Sequence, residues 1–105
     1  MSYIIVFTTT SDKESAQKIA DELLKKNLAA CVSFTPIFSS YKWQGSIQKE
    51  SEIELQIKTR AQLYEKVEET IKSLHMYETP QIIAVAIKQG CDNYLKWIDK
   101  SLKVD

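Results

Sequence analysis

One pattern occurs twice in this chain and limits its folds more than any other feature: an extended run, a capping box, an amphipathic helix and a second extended run. In the first half, Tyr3 to Thr9 is β-branched and aromatic. Ser11-Asp12-Lys13-Glu14 follows, a hydroxyl with a carboxylate three residues on, which predicts a helix N-terminus. Ala16, Ile19, Ala20, Leu23 and Leu24 then form a helical apolar stripe that fades at Lys25-Lys26-Asn27. Leu28 to Trp43 reads as a long strand interrupted near Pro36, an edge or bulge position because proline cannot donate to a ladder.

Gln44-Gly45 supplies a turn, and Ser46 to Lys58 alternates, with Ile53, Leu55 and Ile57 set against Glu52, Glu54, Gln56 and Lys58. The second half repeats the scheme. Thr59-Arg60-Ala61-Gln62 is a second box, Leu63, Val67, Ile71 and Leu74 line one face of a helix ending near His75, and Gln81 to Ile87 reads as an internal strand with Pro80 before it. Gly90 breaks the chain, and Asp92 is placed to cap a final short helix carrying Tyr94, Leu95, Ile98 and Leu102, the first two read as core. This order is βαββαβ plus a C-terminal helix. Right-handed crossovers then give an α+β, ferredoxin-like domain spanning 1–105, with two helices on one face of a four-stranded antiparallel sheet.

The elements do not match in length. Helices of some 15 residues cover about 22 Å of sheet, whereas strands of 13 or more residues reach about 40 Å. Half of the β2–β3 hairpin is therefore left uncovered, and that half contains Phe38, Tyr41, Trp43 and Ile47. Such an apolar overhang predicts an interface with further copies of the chain. The alternative is that a bulge at Pro36 folds the hairpin back over its own sheet.

Composition removes several function classes. The 105 residues hold 14 basic and 14 acidic side chains, and Arg60 is the single arginine, so no strong positive field gathers phosphate backbones. No apolar run approaches the roughly 20 residues of a membrane span, and the chain starts without a secretory pattern, so a cytoplasmic protein is expected. Gly45 and Gly90 are the only glycines, which leaves no phosphate-cradling loop. Cys31 and Cys91 lack CxxC spacing, and both are expected as reduced thiols, Cys31 buried among Ala29, Ala30 and Val32.

The residues left for chemistry cluster near the end of the second helix. His75, Tyr77 and Glu78 fall within four positions in a loop before a strand. His75 reads either as a helix C-terminal residue set against the dipole or as a metal or small-ligand residue. Lys58 and Arg60, at the junction of the third strand and second helix, read as a surface pair or as partners for an anion beside helix amides. Trp43 and Trp97 read as packing or interface residues.

Five segments, taken in order, carry a family resemblance: Ala29-Ala30-Cys31-Val32, Tyr41-Lys42-Trp43-Gln44-Gly45-Ser46-Ile47, Ile57-Lys58-Thr59, His75-Met76-Tyr77-Glu78-Thr79-Pro80 and Tyr94-Leu95-Lys96-Trp97. Together they resemble the CutA family, also called CutA1 or divalent-cation tolerance proteins. The resemblance implies a homotrimer built like PII signalling proteins, with the long hairpins associating between subunits. It also implies a link to Cu²⁺ and other divalent cations without a required cofactor. Where some bacterial members are thought to use a first-strand cysteine and a His-His pair, this chain has Thr8 and Leu74-His75. A copper site would then recruit His75 with Glu78, with help from Tyr77 or a neighbouring subunit, and one imidazole with oxygens binds weakly.

Three functions follow: a non-enzymatic, metal-associated or signalling trimer with clefts formed by His75, Tyr77, Glu78 and Lys58; a PII-like small-ligand binder or enzyme using those residues, Glu78 as base and Lys58 as anion partner; and an RNA-binding sheet, which the absent RNP-like aromatics and zero net charge oppose.

Overall fold

The computed structural model describes residues 2–102. In chain order the elements are β1 (Tyr3–Thr10), α1 (Lys13–Lys25), β2 (Cys31–Trp43), β3 (Ser46–Arg60), a 3₁₀ turn (Ala61–Leu63), α2 (Tyr64–Leu74), β4 (Ile82–Ile87) and α3 (Asp92–Ser101). The sheet order is β2-β3-β1-β4, with every pairing antiparallel. This is the expected split βαβ arrangement.

The cap of α1 falls one residue later than the sequence pattern suggests. Asp12, not Ser11, is the N-cap, and its carboxylate accepts the Ser15 amide at 2.8 Å. That hydrogen bond lowers the Asp12 pKa. The helix ends in a Schellman motif: Asn27 takes φ +58°, its amide donates to the Leu24 carbonyl, and the Leu28 amide donates to that of Leu23 at 2.9 Å. Leu28 is thereby turned into the core. Leu24, counted in the apolar stripe, is exposed.

β2 and β3 meet at the two-residue turn Gln44-Gly45, both with positive φ (+50° and +81°), as a type I′ turn requires. Pro36 does not interrupt β2. It stays in register opposite Ile53 on the outer strand of the sheet, where its missing N–H costs no ladder bond. The hairpin therefore extends straight, and the long axis of the molecule is 45 Å.

α1 and α2 pack together on one face over Ile4, Val6, Leu55 and Ile57, forming the core with Ile19, Leu23, Leu63, Val67 and Ile71. The Thr59–Gln62 box does not cap α2. Thr59 belongs to β3 and its hydroxyl donates to the Leu28 carbonyl at 2.7 Å, while the 3₁₀ turn leads into α2 with no side-chain cap. Leu74 lies at the exposed end of that helix.

β4 is an edge strand, not an internal one. It pairs only with β1, and Ile83 and Val85 are about half exposed on the face away from α1 and α2. α3 packs at one end of that second face. Cys91, not Asp92, is its N-cap, and no side chain caps it. Ile98 is fully buried, whereas Tyr94 is exposed and stacks on Trp97 with ring centroids 5.5 Å apart. Cys31 is half-buried, 4.0 Å from the Ser33 hydroxyl, and not enclosed as expected.

Candidate functional site

Side chains alternate across a strand, so the hairpin divides its residues between two faces. Tyr41 and Trp43 share a face with Gln48, Glu50 and Glu52, while Phe38 and Ile47 project from the other. The four predicted interface residues thus fall on opposite sides of one ribbon. Phe38 is 90% exposed and Ile47 67%, as unshielded as the length argument anticipates.

The loop after α2 folds back against the Tyr41 face. His75 anchors it. Its Nε2 lies 2.7 Å from the Thr9 carbonyl, which can only accept, so Nε2 carries the proton. The Tyr77 amide donates to Nδ1 at 3.1 Å, and the two rings meet at 4.8 Å. Both ring nitrogens of His75 are therefore used in holding the loop to β1.

Tyr77, so placed, reaches the hairpin. Its phenol donates to Glu52 Oε2 at 2.8 Å, and Glu52 is 7% exposed. Burial and the Glu52 carboxylate push the Tyr77 phenol far above its ordinary value. On the same face the Glu50 carboxylate pushes the Tyr41 phenol up as well. Between loop and hairpin lies an open groove of about 680 Å³, lined by Tyr41, Trp43, Glu50, Glu52, Tyr77 and Glu78 among others. Glu78 stands exposed at its wall.

The predicted cleft residues are only partly gathered here. Tyr77 and Glu78 line the groove and His75 supports it from behind. Lys58 and Arg60 do not join them: Lys58 lies six residues along β3 from Glu52, about 20 Å at the rise of an extended strand. There Lys58 Nζ sits 5.6 Å over the Tyr94 ring, and Arg60 donates to Asp99 Oδ1 at 2.6 Å, with Tyr3 donating to Asp99 Oδ2 at 2.8 Å. The pairing of Glu78 as base with Lys58 as anion partner is thus not assembled within one chain.

Glu50 and Glu52 were missed as site residues because their place in the alternation of β3 reads as a plain solvated face. The closing residue, Tyr77, arrives from 25 positions away.

Among the described residues no group of three or more His, Cys, Asp or Glu side chains is arranged to hold a metal ion. Thr8 is fully buried on the helix side with its hydroxyl unpartnered, so it offers no open ligand. With both His75 nitrogens engaged as well, the residues of one chain do not fit a resident copper centre.

A ferredoxin-like split βαβ domain, with a hairpin far longer than its helices and an acidic, aromatic groove along the outer half of one hairpin face, defines a small class of α+β proteins. Comparison narrows it. The family described as CutA1 divalent ion tolerance protein matches residues 4–101. Divalent-cation tolerance protein CutA of Archaeoglobus fulgidus is 38% identical over 93% of this chain and 96% of its own. Protein CutA, chloroplastic, of Arabidopsis thaliana is 40% identical over 95% of this chain, which spans only 56% of that longer protein. The crystal structure of CutA1 from Oryza sativa superposes with a TM-score of 0.96 at 37% identity, covering 100% of this chain and 97% of that one. The chain belongs to the CutA family.

Proposed function

We propose that this protein acts as a CutA-type homotrimer in the response to divalent cations, with Cu²⁺ or a similar ion as weakly held cargo and not as a resident cofactor. The observation that carries the trimer is the straight, uncovered hairpin, whose tip leaves Phe38 and Ile47 in water and whose sheet leaves Ile83 and Val85 half exposed. Monomeric proteins rarely leave such surfaces open. Burying these residues in a neighbour stabilises the assembly by roughly 25 cal/mol per Å² of apolar area.

A cation role is supported by the printed names of the relatives, Divalent-cation tolerance protein CutA among them. Within the site, His75 with Glu78 is the donor pair we assign to the cargo, completed by groups of a neighbouring subunit. His75 must release either Thr9 or Tyr77 to bind a cation, so affinity is reduced by the cost of that hydrogen bond. A cytoplasmic setting belongs to this proposal, supported by the two free cysteines. No enzymatic step is assigned.

Calorimetric titration of Cu²⁺ and Zn²⁺ into wild type and His75→Ala tests the cation reading. Weak binding that disappears in the variant is expected; equal binding by both proteins removes His75 from the site. A second reading, a PII-like small-ligand binder, is favoured by the groove itself, which is large enough for a metabolite and has convergent polar groups.

A further inference from the structure

We draw no further inference here: the strongest candidate, the exposed stack of the Tyr94 and Trp97 rings on α3 with Lys58 Nζ over the Tyr94 ring, is an unpartnered aromatic face, and nothing in the structure shows what covers it.

Discussion

Tyr77 donates its phenol proton to Glu52 at 2.8 Å, and this one bond ties the loop after α2 to the middle of the hairpin. It crosses from an element fixed by His75 to a strand that otherwise runs out beyond both covering helices. The bond joins one wall of the groove to the other.

Tyr77→Phe should therefore cost about 1–3 kcal/mol, since it leaves the buried Glu52 carboxylate without its donor. Chemical denaturation measures the loss. Amide exchange should rise in residues 75–81 and not in α1.

The raised Tyr77 pKa gives a pH dependence with a definite sign. A group whose folded pKa lies above its unfolded value stabilises fully below the unfolded value, near pH 10 for a phenol, and loses that contribution as pH rises through the folded value. Burial and Glu52 raise Tyr77, so its bond should persist through the ordinary phenol range. In an alkaline absorbance titration of wild type, Tyr77 should ionise later than a free tyrosine. Its phenolate absorbance, obtained by subtracting the Tyr77→Phe titration curve, should not yet have appeared near pH 10, where its stabilising bond is still intact.

At the opposite end of the sheet, Asp99 joins α3 to Tyr3 and Arg60. The hydrogen bond from Tyr3, and next the Arg60 guanidinium, hold the Asp99 pKa below its usual value. A depressed carboxylate stabilises above its unfolded pKa, about 3.9, and loses that contribution as pH falls through the folded value. Asp99→Asn should lower stability modestly at neutral pH, because the side chain is partly exposed and screened by solvent, and should flatten the acid limb of stability below pH 4. Thermal melts between pH 2 and 7 check both.

Much of this architecture is written in local pattern. Ile53, Leu55 and Ile57 alternate as a half-covered strand must, Gln44-Gly45 is a turn, and the repeated strand–helix–strand order leads directly to the sheet topology. What local pattern cannot carry is contact between distant segments. Pro36 looks like a break until β2 is known to be an edge, where its missing N–H faces outward. The apolar run of β4 suggests burial on both faces, yet β4 too lies at an edge. Thr59 resembles a helix cap, but its hydroxyl is taken by Leu28 across the fold. Within the site, Tyr77 and Glu78 were legible from loop position. Glu50 and Glu52 were not, because their role comes from what closes over them.

Gln44 offers a test of the hairpin itself. A glutamine at φ +50° is strained, and asparagine tolerates that conformation better in a type I′ turn. Gln44→Asn should stabilise the protein by about 0.5 kcal/mol, read as a higher denaturation midpoint with an unchanged denaturant slope.

The central claim is that the uncovered hairpin is an interface between copies of this chain. Multi-angle light scattering at micromolar concentration measures it most directly. The account predicts a particle of three times the 12.1 kDa chain mass, dissociating when Phe38→Asp and Ile47→Asp place charges on the hairpin tip. A folded, dilution-stable particle of 12.1 kDa in the wild type would contradict it.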